Sequence, residues 1–162
     1  MSSEDTYTKL ISLLDEHNAK YRKIDHPPEG RTDIVSPMRG NELHQAAKCM
    51  VVMVKIGKKH SEWILGVVPG DKQIDLNTIK KLFRGTYVSF ASTDKAESIA
   101  GSVSGTILPF SFNPKLKLIV DPTLLDNENI YFNAARLDQS LELRTEDYKA
   151  IANPRIERIA KK

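Results

Sequence analysis

The chain has 162 residues, 40% of them apolar, a single cysteine and a formal charge of +3. That is enough for one domain with a proper core and too little for two large ones, and no apolar run approaches the ~20 residues of a membrane span. Mild basicity permits a polyanionic partner without demanding one, and a lone Cys49 excludes an internal disulfide and suits a reducing cytosol.

The start Met1-Ser2-Ser3-Glu4-Asp5 is acidic and polar, the opposite of a secretory leader, so the chain reads as cytoplasmic. Leu10, Ile11, Leu13 and Leu14 lie at helical spacing behind Asp5 and Thr6 and predict an amphipathic helix over 6–17. Alternation over 21–25 predicts a short strand. Ser36-Pro37 is a helix-start signal, serine as cap and proline in the first turn, for a helix running toward Ala47. Strands over 49–56 and 62–68 follow, joined as a hairpin at Gly57-Lys58-Lys59-His60.

Asp75 caps a predicted helix carrying Leu76, Ile79 and Leu82 and stopping at Gly85. A strand over 87–91 and a short helix over 93–99 lead to the segment Gly101-Ser102-Val103-Ser104-Gly105-Thr106-Ile107-Leu108-Pro109-Phe110. Strands over 117–120, 130–133 and 141–144 and a helix over 145–152 complete the series. Residues 154–162 form a basic tail expected to fray. Short strands interleaved with short helices give a single α/β or α+β domain over 1–162. Hairpin-length connections at Gly57 and near Asn127 favour mixed strand pairing.

Two segments carry candidate chemistry. In 101–110, glycine, glycine and proline recur every fourth residue. Glycine tolerates positive φ and close approach, and proline removes one N–H and stiffens the backbone after Leu108. Such a loop can turn its remaining N–H groups on an anion or a developing oxyanion, although the same pattern also serves as a bulge or tight bend. In Gln45-Ala46-Ala47-Lys48-Cys49-Met50-Val51-Val52, a lysine stands at the mouth of an apolar strand. It either snorkels into water or is partly buried, where its ammonium can hold an anionic group as a point charge.

Several familiar chemistries find no support. There is no HxxxH, HxH or CxxC spacing for zinc. There is no Gly-x-Ser-x-Gly elbow, and Ser104 has no base beside it. There is no GxxxxGK[ST] phosphate loop either. His26, beside two prolines, is a general base on spacing or, more ordinarily, a packing residue.

Five blocks in order resemble the YbaK family, also called the prolyl-tRNA synthetase-associated or aminoacyl-tRNA deacylase domain. They are His26-Pro27-Pro28, then Ala46-Ala47-Lys48, then the turn and strand from Leu82 to Ser92, then Gly105-Thr106-Ile107-Leu108-Pro109-Phe110, and Ile130 to Arg136. The likeness runs from about His26 to about Asp147. It implies a mixed, mostly antiparallel, barrel-like sheet flanked by helices. It also implies a metal-independent, cofactor-free hydrolase acting on a mischarged aminoacyl-tRNA, most simply tRNA(Pro), with prolyl-tRNA synthetase as a further partner.

On this reading Lys48 and Gly105 are the catalytic pair, the lysine positioning substrate and the loop polarising the ester carbonyl. His26, Gly101, Thr106, Ile107, Leu108, Pro109, Phe110, Asn133 and Arg136 are expected to contact substrate. For Asn133 and Arg136 a solvated strand end, with Arg136 paired to Asp138 or Glu142, is the plainer alternative. The chain departs from the family pattern at Ser111 and Ala135, where glycine is usual, which implies a slightly altered backbone at both. The family handles alanine, cysteine, serine and threonine. Cys49 stands where some alanine-editing members carry asparagine, so the amino acid stays open. A non-catalytic aminoacyl- or nucleotide-binding module is the alternative.

Overall fold

The structure is a computed structural model describing residues 2–162. In chain order it runs α1 (Ser3–Glu16), β1 (Tyr21–Asp25), α2 (Thr32–Arg39), a 3₁₀ turn (Leu43–Gln45), β2 (Ala47–Ile56), β3 (His60–Pro69), α3 (Leu76–Leu82), β4 (Tyr87–Phe90) and α4 (Thr93–Ala100). Then come β5 (Leu116–Val120), a 3₁₀ turn (Pro122–Asp126), β6 (Asn129–Asn133), β7 (Gln139–Arg144), α5 (Thr145–Ala152) and β8 (Arg155–Ile156). No helix among these residues is long and apolar enough to cross a membrane.

The strands make two sheets rather than one barrel-like surface. One has the order β1-β7-β6, the other β4-β2-β3-β5-β8. Pairing is antiparallel except β3–β5 and β5–β8, which are parallel. The sheets touch through a single parallel bridge, Ala46 to Tyr131. The hairpin expected near Asn127 is absent because the turn Pro122–Asp126 carries the chain from β5 in one sheet to β6 in the other.

The hairpin at Gly57 is present and longer than expected, with ten paired positions from Ala47–Pro69 to Ile56–His60. Side chains alternate across β2 and β3. Val51, Leu65 and Val67 point into a core closed by Leu10 and Leu14 of α1, Tyr148 of α5 and Phe132 of β6. Val52, Val54, Ile64 and Val68 face a second core under Ile79 of α3 and Ile159 of the tail. The tail therefore does not fray. Ile159 is fully buried, and the Asp121 carboxylate accepts the backbone N–H groups of Ile159 and Ala160, both at 2.9 Å.

Two helix starts differ from expectation. α1 begins three residues early, capped by Ser2, which accepts from Asp5 N at 3.1 Å while the Asp5 side chain accepts from the Ser2 N–H. α2 starts at Thr32, and Pro37 lies inside it rather than opening it. It also ends at Arg39 rather than running toward Ala47, because Gly40 at φ 77° takes the left-handed backbone and caps it.

Candidate active site

A cleft of about 580 Å³ opens where the start of β2, the N-terminal turn of α2 and the glycine loop converge. Lys48, Gly105, Ile107 and Asn133 all line it, joined by Gly30 and Thr32. Lys48 is the second residue of β2, on the face that carries Val52 and Val54 toward the second core, paired in register with Val68 of that core. Half-buried there, its ammonium makes no ion pair or hydrogen bond among the described residues. Burial draws it below the usual lysine value, against a smaller opposing pull from Asp71. A partly desolvated cation without a partner is primed for an anionic ligand.

The glycine loop bends at Gly105, φ 86°. A Cβ there would meet Gly30 Cα at 2.7 Å and Gly30 O at 3.1 Å. The loop and the segment after His26-Pro27-Pro28 therefore touch backbone to backbone, and both positions need glycine's missing side chain. The Thr106 N–H is consumed by Val103 O at 3.0 Å. The amides of Gly105 and Ile107 have no protein acceptor among the described residues and stand at the cleft wall. Unpaired N–H groups on one wall are a geometry that can receive a negatively charged oxygen.

Asn133 is structural support for this loop. Its Nδ2 donates to Gly105 O at 2.9 Å and Glu29 O at 2.8 Å, tying the two touching segments together. Its Oδ1 accepts from Ser140 Oγ at 2.8 Å, with Arg39 Nη1 at 3.4 Å. Arg39, the last residue of α2, is buried, bonded also to Asn41 and Ser140, and burial brings its guanidinium down to about 10. His26 lies behind this network, Nε2 on Ser140 Oγ at 2.7 Å and Nδ1 on Pro27 O at 2.9 Å. It does not line the cleft.

Asn133→Ala would leave two loop carbonyls without a donor and is expected to cost about 1–3 kcal/mol of stability, read as a lower melting temperature. Unchanged melting would show that the tie does not hold the loop.

The other expected contacts lie elsewhere. Gly101 is the left-handed cap of α4, and its carbonyl accepts from Thr6. The Thr106 hydroxyl is buried on Val103 O. Leu108 and Phe110 belong to the core, Phe110 edge-on to Phe132 and Tyr148, and Pro109 O accepts from the Tyr148 hydroxyl at 2.6 Å. Arg136 is exposed, paired with Asp138 at 2.9 Å and lying over the Tyr7 ring. Alternate residues of this loop point inward as core, and only Gly105 and Ile107 reach the cleft.

At the two departures from the family pattern, Ala135 takes φ 59°, the left-handed backbone that favours glycine. Ser111 spends its hydroxyl on Asn113 O and Leu116 O. Cys49 also lines the cleft, and burial pushes its thiol up, which favours the neutral form. Thr32, Asp33 and Gln73 also line the cleft and were not singled out in the sequence. Thr32 and Asp33 belong to the first turn of α2, ahead of the start that Ser36-Pro37 suggests.

The aminoacyl-tRNA editing domain family model matches residues 26–151. A protein of Escherichia coli (strain K12) named Multifunctional Ser/Thr-tRNA deacylase ProXp-y is 40% identical over 152 residues, 93% of this chain and 90% of its own. A Prolyl-tRNA editing protein ProX from Acetoanaerobium sticklandii is 22% identical over 151 residues, 91% of this chain and 90% of its own. A solved structure described as a putative trans-editing enzyme for prolyl tRNA synthetase superposes with a TM-score of 0.77 at 17% identity, over 97% of this chain and 98% of that one.

Proposed function

This chain belongs to the aminoacyl-tRNA editing domain family and is an aminoacyl-tRNA deacylase, and we propose that it removes serine or threonine from mischarged tRNA. The observation that carries the mechanism is the unpartnered Lys48 ammonium sharing one cleft with the unpaired amides of Gly105 and Ile107. Lys48 holds the terminal nucleotide through a phosphate oxygen. The two amides receive the ester carbonyl oxygen as it gains charge. Water adds to the carbonyl carbon and its proton passes to the departing ribose oxygen; where a hydroxyl of the substrate adds first, it forms an internal ester that water then opens. The bond to the ribose oxygen then breaks, leaving free amino acid and tRNA when the nucleophile is water. An aminoacyl ester is already activated, so oriented donors can supply most of the rate; one such donor is worth roughly 10²–10³.

The choice of serine and threonine rests on the 40% identical relative, whose name specifies both. A panel of tRNAs charged with serine, threonine, alanine or cysteine, assayed for released amino acid, tests it; faster release of alanine than of either hydroxyl amino acid would overturn it. Charging the same amino acids on tRNA(Pro) tests a second reading, supported by the ProX relative, in which the tRNA is that of proline and prolyl-tRNA synthetase is a partner. The cytoplasm, where tRNA is charged, is the compartment that fits either reading.

The mechanism needs no metal. His17 is bonded to Leu13 O, His44 to Asn127 and His60 to Glu62, and no three His, Cys, Asp or Glu side chains converge among the described residues. Deacylation is therefore expected to survive exhaustive chelation. Loss with a chelator, restored by zinc, would replace this mechanism.

A further inference from the structure

A second cleft, about 630 Å³, lies beside the first and shares Lys48, Met50 and Gln73 with it. Its far wall is the edge strand β4, where Val88 and Phe90 face the α3 side of the sheet. Phe90 is 44% exposed. The rings of Trp63, Phe83, Tyr87 and Phe112 each lie under a lysine or arginine, with cation-to-centroid distances from 4.6 to 5.8 Å. Phe90 carries no such cation and stacks on no other ring among the described residues. Its face is open toward the cleft. Lys161 stands at the opposite lip, its Nζ 3.5 Å from Gln73 Oε1.

We propose that this second cleft binds the base of the nucleotide preceding the terminal one in the tRNA 3′ strand, stacked on Phe90. The inference rests on the deacylase reading, because the first cleft must hold the terminal aminoacyl nucleotide. Three observations choose this occupant. The two clefts are continuous, so a strand leaving the first enters the second. Phe90 pairs with Val52, four residues along β2 from Lys48, about 13 Å at 3.3 Å per residue. The long Lys48 side chain and the Phe90 ring shorten that span to what one sugar and base cover from a phosphate held at Lys48. The terminal nucleotide occupies the first cleft, so the base on Phe90 belongs to the nucleotide on the other side of that phosphate. The charge also fits: the phosphodiester between the two nucleotides passes Lys48 at the junction, and Lys161 waits beyond. An apolar platform with flanking cations is how single-stranded RNA is held without strict sequence choice.

The test uses the whole protein and an RNA with a single-stranded 3′ end carrying 2-aminopurine in the penultimate position. Its fluorescence falls when the base stacks. Wild type is expected to bind and quench the probe. Phe90→Ala should weaken binding roughly 5- to 150-fold and abolish quenching. Phe90→Trp should restore both, whereas Phe90→Leu, apolar but without a ring face, should not. Tyr87→Ala removes an aromatic from the opposite face of the same strand and should bind as wild type. Equal binding by wild type and Phe90→Ala, an equal loss in Tyr87→Ala, or no binding by wild type overturns the subsite. Deacylation measured alongside separates the two ideas. Quenching without amino acid release leaves the subsite and removes the deacylase reading. Release that is indifferent to Phe90 does the reverse.

Discussion

Lys48→Met is expected to lower deacylation by roughly 10²-fold or more while the protein stays folded. Removing one partner of a desolvated charge contact typically costs about 2–5 kcal/mol, and methionine keeps the apolar stem, so the loss isolates the ammonium. Stability should move the other way. The folded state holds Lys48 below its unfolded value through burial. The charged form is therefore disfavoured by folding at neutral pH, and that penalty is relieved only as pH rises through the lowered value toward the ordinary lysine value. Lys48→Met should melt at or slightly above wild type near neutrality, and the difference should shrink on the alkaline side. Single-turnover release from seryl-tRNA beside a melting curve reads both effects. Wild-type release by the methionine variant would remove Lys48 from the mechanism.

Gly105→Ala is expected to slow turnover by roughly 10²–10³-fold, the scale of a displaced oxyanion donor, with a much smaller loss of tRNA affinity. The new Cβ would sit 2.7 Å from Gly30 Cα at a φ of 86°. Backbone rather than a flexible side chain must move, carrying the Gly105 and Ile107 amides with it. A stability loss of about 1–3 kcal/mol should accompany this. Gly30→Ala makes the useful comparison. Its Cβ meets Gly105 Cα and Leu137 Cδ2 at 3.2 Å, without a positive φ, so a smaller displacement and a smaller rate loss follow. Because an oxyanion donor acts in the transition state, kcat and kcat/KM should fall together. A variant with full chemistry would make the loop a bend and nothing more.

Local signals placed most elements well. Tyr21–Asp25, Leu76–Leu82 and Thr145–Ala152 match their expected spans, because alternation, the Asp75 cap and helical periodicity are short-range effects written in neighbouring residues. The start of α2 failed for an equally local reason. Ser36-Pro37 has the form of a cap but lies inside the helix, and Ser36 is buried against Asn41, whose Nδ2 donates to its hydroxyl. The barrel expectation failed at longer range, since nothing near Pro122 states that β6 will leave the sheet containing β5.

By itself the sequence determined the chemistry available at this site: a lysine before an apolar strand, a loop of two glycines and a proline, no triad and no metal-ligand spacing. Side-chain types and local backbone freedom suffice for that, since both are properties of single residues. The tertiary structure alone decided which of those residues meet. It set Gly105 against Gly30, left the Lys48 ammonium unpaired in their cleft, and turned Thr106, Leu108 and Phe110 inward. It also tied Asn133, with Arg39, Ser140 and His26 behind it, to the loop carbonyls at the cleft wall. Contacts between segments this far apart in the chain depend on how two sheets pack, and no local pattern encodes them.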